Sequence, residues 1–130
     1  MWRERERLWR ELLDRASRWA RELAGELEAR GIRVTEVRLF GSIARGSWSR
    51  ESDLDLLVIS PDWPEDYTRR LSILYKLWNK PVDAHFIPLK PQELPEAIKR
   101  SVALRDASRY WITIYHRGDT RAGENESRAG

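Results

Sequence analysis

The sequence contains no cysteine, only two histidines and no run of about 18 apolar residues. Disulfides and thiolate metal sites are therefore excluded, and a membrane role is not expected. Any metal would be held mainly by carboxylates, which suits a hard cation such as magnesium. The Arg- and Glu-rich start lacks the apolar stretch of a secretory signal, so a cytoplasmic location is expected. A one-sided charge is missing too. The net charge is +3, and the basic residues are interleaved with acidic ones rather than clustered, so no direct nucleic-acid role is expected. The 130 residues leave room for one core.

What is present is strongly patterned. Trp9, Leu12, Leu13, Ala16, Ala20, Leu23, Ala24 and Leu27 recur at spacings of three and four, predicting an amphipathic helix over 2–30 that Gly31 ends. Residues 32–40 read as a strand carrying Val34, Val37, Leu39 and Phe40, and residues 53–60 as a second. The Gly-, Ser- and Arg-rich segment 41–52 between them reads as a turn with a short helical piece. After Pro61 and Pro64, Tyr67, Leu71, Leu74, Tyr75 and Trp78 share a helical face, and a third strand is expected over 81–88. Residues 92–105 read as a helix with Leu94, Ile98, Val102 and Leu104 inward, and residues 109–116 as a last short strand. The fold class is thus α/β or α+β, a mixed sheet flanked by helices. One domain is expected over 1–116, with its catalytic core at about 32–115. The small, charged segment 117–130 is expected to be disordered.

Two short stretches carry chemistry. In Leu39-Phe40-Gly41-Ser42-Ile43-Ala44-Arg45-Gly46 a strand ends in Gly-Ser and turns into a helix, which aims backbone N–H groups at whatever lies above the turn. Gly41 allows close approach, the Ser42 hydroxyl can bond a phosphate oxygen, and Arg45 can add charged donors. Alone, such a turn is an ordinary strand exit. Gly41 and Gly46 have Walker A spacing, but Ser47 stands where lysine is required, and no G-x-G-x-x-G occurs. The second stretch, Ser52-Asp53-Leu54-Asp55-Leu56-Leu57-Val58, places two carboxylates on one face of a strand that is otherwise apolar. Such a pair is either a solvated strand edge or a cation site. Asp83 opens the next apolar strand. If that strand lies beside the second, three carboxylates meet, as a two-cation phosphoryl-transfer site requires. His85 shares a face with Asp83 and is expected to be a satisfied, partly buried histidine.

Gly41-Ser42, ten intervening residues and Asp53-x-Asp55 resemble the signature of the DNA polymerase β-like nucleotidyltransferase superfamily. In particular they resemble the minimal nucleotidyltransferases, the MNT antitoxins of HEPN/MNT toxin-antitoxin pairs. The resemblance implies that Gly41 and Ser42 hold the triphosphate of ATP, and that Asp53 and Asp55 bind two magnesium ions. It further implies that Asp83 joins the metal site and assists the attacking hydroxyl. Ile43 departs from the arginine that many relatives carry after Gly-Ser. For HEPN-paired enzymes the resemblance implies transfer of AMP from ATP onto a tyrosine of the toxin partner. A non-catalytic antitoxin and an enzyme modifying a small hydroxylated molecule such as an aminoglycoside are the alternatives. Trp48 and Trp63 fall in loops flanking the expected site, where they stack on a base, grip a partner or simply pack. A homodimer is compatible with the tryptophan-bearing first helix.

Overall fold

A computed structural model describes residues 2–49 and 51–118. The elements run α1 (Trp2–Glu28), β1 (Glu36–Phe40), α2 (Gly41–Arg45), β2 (Leu54–Ile59), α3 (Tyr67–Leu77), β3 (Ala84–Leu89), a 3-10 turn at Pro91–Glu93, α4 (Leu94–Arg100), α5 (Val102–Ala107) and β4 (Ile112–His116). The strands form one mixed sheet in the order β3-β2-β1-β4. β1 runs antiparallel to both of its neighbours, whereas β2 and β3 are parallel, with Leu54 opposite Ala84 and Asp55 opposite His85. The α+β class expected from the sequence is therefore the one observed.

Both faces of the sheet are covered. Leu54, Leu56 and Val58 of β2 join Val37, Leu39, Ala84 and Phe86 in the larger core, which takes in Ala16, Ala20, Leu23, Ala24 and Leu27 of α1 and Leu74 of α3. Leu57 and Ile59 join Leu89 and Leu104 in a smaller core on the other face, against which Leu94, Ala97 and Trp111 pack. The alternation of strand side chains thus divides β2 between two layers, so its near-continuous apolar run is needed in full.

The α1 stripe packs as the spacing predicts, and Trp19, omitted from it, is also buried. The strands are shorter than expected. β1 starts at Glu36 because β2 ends at Ile59, its partner, leaving Val34 buried but outside the ladder. The helix expected over 92–105 is broken. Ser101 is extended (φ −111°, ψ 117°), terminates α4, and accepts a hydrogen bond on its hydroxyl from Leu104 N as the cap of α5. That break turns Val102 outward, 72% exposed, while Leu104 stays in the core. On α3, Leu74 is fully buried, but Tyr67 and Tyr75 of the predicted face are exposed. Of the segment expected to be disordered, residues 119–130 lie outside the described residues, and Arg117 makes a two-pronged ion pair with Glu28. No helix among the described residues is long and apolar enough to cross a membrane.

Candidate active site

The site residues gather where β1 ends and where β2 and β3 begin. Antiparallel pairing sets Phe40, the last residue of β1, opposite Asp55 near the start of β2, so the Gly41-Ser42 turn necessarily lies beside the Asp-x-Asp segment. Gly41 has φ +80°, a conformation that disfavours any residue with a side chain. A Cβ there would collide with Asp55 Oδ2 and lie 2.9 Å from Cγ. The glycine therefore serves two needs, the left-handed turn and the close approach of the Asp55 carboxylate.

The turn continues into the single helical turn of α2, whose leading residues receive no side-chain cap. Gly46, also at positive φ, closes its far end by donating to Ile43 O and Ser42 O. The Ser42 hydroxyl lies 3.1 Å from the Ser52 hydroxyl, which in turn accepts from Ser49 N. Ser42 is thereby tied to the residue immediately before Asp53.

Parallel pairing of β3 beside β2 meets the backbone condition for the third aspartate. Leu54 N donates to Asp83 O, which places Asp83 next to the start of β2. Asp53, Asp83 and His85 line one cleft of about 380 Å³ together with Tyr75, Trp78 and Ala84. His85 is not partly buried as expected. Its side chain is 65% exposed and stands between the paired carboxylates, Nε2 3.5 Å from Asp53 Oδ2 and Nδ1 3.4 Å from Asp55 Oδ1. It is the site residue that the sequence undervalued, although the signal, a shared face with Asp83, was present.

Burial and the neighbouring histidine set the electrostatics of the acid pair. Burial pushes the Asp55 carboxyl above its ordinary pKa, a shift opposed by the hydrogen bond and charge of His85 and reinforced by the nearby charge of Asp53. Among the described residues no three carboxylate or imidazole groups close on one point able to hold an ion, so the Asp53, Asp55 and Asp83 side chains do not form a ready-made cage. Mutual repulsion disfavours such a cage in the absence of positive charge. Their oxygen donors nonetheless fit a hard divalent cation, and the raised pKa of Asp55 is one that a bound cation would reverse.

Arg45 is placed differently from its expected role. Its guanidinium pairs with Asp106 of α5 and lies over the Tyr110 ring at 5.2 Å, so its charge is directed to the end of α5. Trp63 is a core residue, 2% exposed, whose indole donates to Val58 O at 3.1 Å. Trp48 lies under α1, with Arg5 over its ring at 5.0 Å.

Comparison with known proteins bears on the fold and the family. No curated protein matches the chain. Among solved structures the fold is shared with a presumptive nucleotidyltransferase from Sulfolobus solfataricus, with a TM-score of 0.59 and 21% identity over 85% of this chain and 88% of that one. The family model described as a nucleotidyltransferase domain matches residues 20–106, a span that includes the Gly-Ser turn and all three aspartates. With more than half of its length matched, the chain belongs to the nucleotidyltransferase domain family.

Proposed function

We propose that the protein transfers AMP from ATP to a hydroxyl group in a magnesium-dependent reaction, with Gly41, Ser42, Asp53, Asp55 and Asp83 as its working residues. The observation that carries this reading is the packing of Asp55 against Gly41, which joins the phosphate turn and the acidic pair into one surface. Asp53 and Asp55 would hold the cations, with Asp83 alongside. Divalent cations bound there would neutralise phosphate charge and make the acceptor hydroxyl easier to deprotonate.

In this reading the Gly41 and Ser42 amides and the Ser42 hydroxyl hold phosphate oxygens. The acceptor oxygen attacks the α-phosphorus, its proton passes to the Asp83 carboxylate, and the bond from the α-phosphorus to the bridging oxygen of pyrophosphate breaks. Asp83 is supported in this role by its place on the rim of the cleft, where it is exposed. Arg45 joins the nucleotide only by leaving Asp106.

The acceptor is proposed to be a tyrosine hydroxyl of a HEPN toxin partner, on the resemblance to the minimal nucleotidyltransferases. An open cleft flanked by Tyr75 and Trp78 suits a hydroxyl presented by a protruding chain better than a small molecule that needs enclosure. The test is incubation of the protein with α-labelled ATP, magnesium and the product of the neighbouring gene, followed by mass spectrometry of the acceptor. Label on a partner tyrosine, lost with Asp53→Asn, is the expected result. No labelled acceptor, or equal labelling by Asp53→Asn, would count against the reading.

A further inference from the structure

The N-terminal half of α1 precedes the family match, which starts at residue 20, yet it reaches the segment that joins the two halves of the site. Trp9 Nε1 donates to Ile43 O at 2.7 Å, a carbonyl of α2 that Gly46 N also uses. Four residues earlier, one turn along the same helix, Arg5 Nη2 donates to Trp48 O at 2.8 Å while its guanidinium covers the Trp48 ring. Two points of the segment that follows the Gly-Ser turn are therefore held by one rigid element.

Ile43 and Ala44 are buried in the larger core, Arg45 pairs with Asp106 and Ser47 N donates to Ser42 O, so the first part of the segment has anchors of its own, and it is Trp48 that depends most on α1. Clefts of about 240 and 310 Å³, both lined by Trp48 and by residues of α1, open between α1 and the loop, so packing at Trp48 is incomplete. The Trp48 indole N–H is buried and has no hydrogen-bond partner among the described residues, which costs free energy. Downstream, Ser52 links the segment to the Ser42 hydroxyl and leads directly into Asp53. Any freedom at Ile43 or Trp48 passes to both the phosphate turn and the first aspartate.

We propose that Trp9 and Arg5 are positioning residues, and that α1 clamps the segment from Ile43 to Trp48 so that the Gly41-Ser42 turn is preorganised for a triphosphate. This inference rests on the proposed function only for the identity of the ligand. Neither residue touches the reacting atoms. They act through the Ile43 and Trp48 carbonyls.

The test compares the wild type with Trp9→Phe, which keeps the aromatic packing and removes the donor, and with Arg5→Ala. Amide hydrogen exchange is read over residues 43–49 without nucleotide, and KM for ATP is read against kcat with magnesium present. Loss of one such bond is expected to speed exchange in the segment about fivefold and to raise KM by a similar factor, with kcat little changed and the thermal midpoint lowered by only a few degrees. Exchange that stays at the wild-type rate in both variants overturns the clamp, whatever the nucleotide result. A uniform rise in exchange across α1 and the sheet, with KM, kcat and midpoint all impaired, also overturns it by showing ordinary destabilisation. Wild-type protein that takes up no triphosphate defeats the proposed function instead, and the exchange comparison then decides the clamp alone.

Discussion

Two groups of charges sit toward opposite ends of β2 and β3, and they are built on opposite terms. At the far end, the Arg70 side chain is 3% exposed and makes four hydrogen bonds: Nε donates to Pro64 O, Nη1 to Pro88 O and Glu93 Oε1, and Nη2 to Glu93 Oε2. Glu93 is held below its ordinary pKa by Arg70 first, and by the Lys90 backbone hydrogen bond as well. At the near end, the ion-pair partner of Asp53 and Asp55 among the described residues is one exposed histidine, and the Asp55 carboxyl is pushed upward by burial. A pair whose donors and acceptors are matched serves the fold. Carboxylates left short of positive charge beside a glycine turn suit a ligand.

Asp55 is where this contrast should break most sharply. Asp55→Asn keeps the side-chain shape and removes the charge, so transfer should fall on the order of 10³-fold while circular dichroism and the unfolding midpoint stay near those of the wild type. Transfer at the wild-type rate would reduce Asp55 to a structural charge near the start of β2. The opposite pattern is expected at the far end. Arg70→Met leaves the Glu93 carboxylate, only 34% exposed, without its partner, and should cost about 2–3 kcal/mol in urea unfolding, less than a wholly buried pair would. Removing both charges with Arg70→Met and Glu93→Leu should recover much of that loss. Transfer per folded molecule should be unchanged in either variant.

Gly41→Ala tests the join between turn and acid pair. The positive φ should cost about 1–2 kcal/mol, and the displaced Asp55 should lower transfer even in the folded fraction. A variant that is destabilised but fully active would separate the glycine from the site.

The smallest effect is expected at the surface. Asp62 accepts from Arg33 Nε, Nη2 and N, and these bonds lower its pKa from the ordinary 3.8 to about 2. A folded-state pKa below the unfolded one stabilises the fold above pH 3.8, and the contribution is lost as the pH falls toward 2. Because the pair is exposed, Asp62→Asn should cost no more than about 1 kcal/mol at neutral pH. The stability curves of the two proteins should converge in acid, and a constant gap down to pH 2 would contradict the assignment.

The periodic parts of the molecule were legible in the sequence because their signal is local. The α1 stripe follows from a 3.6-residue repeat, and β2 is recognisable from an apolar run closed by Pro61. Element ends were less legible. The limits of β1 and β3 follow from the length and register of β2, and the break at Ser101 depends on which apolar residues the smaller core admits. At the site, Gly41, Ser42, Asp53 and Asp55 stand out through spacing. Arg45 and Asp106 are 61 residues apart, and no local pattern announces their pairing.

The sequence alone excluded thiol chemistry and set two carboxylates on one face at a strand start, separated by ten residues from a Gly-Ser pair. It also determined the layered α+β class, because helical and strand periods cannot be exchanged. Tertiary structure decided which groups meet: His85 set between two aspartates, Arg45 drawn to Asp106, and Trp9 and Arg5 brought onto the segment behind the turn. Those meetings depend on strand register and helix docking, which arise from packing of distant segments and leave no trace in the spacing of neighbouring residues.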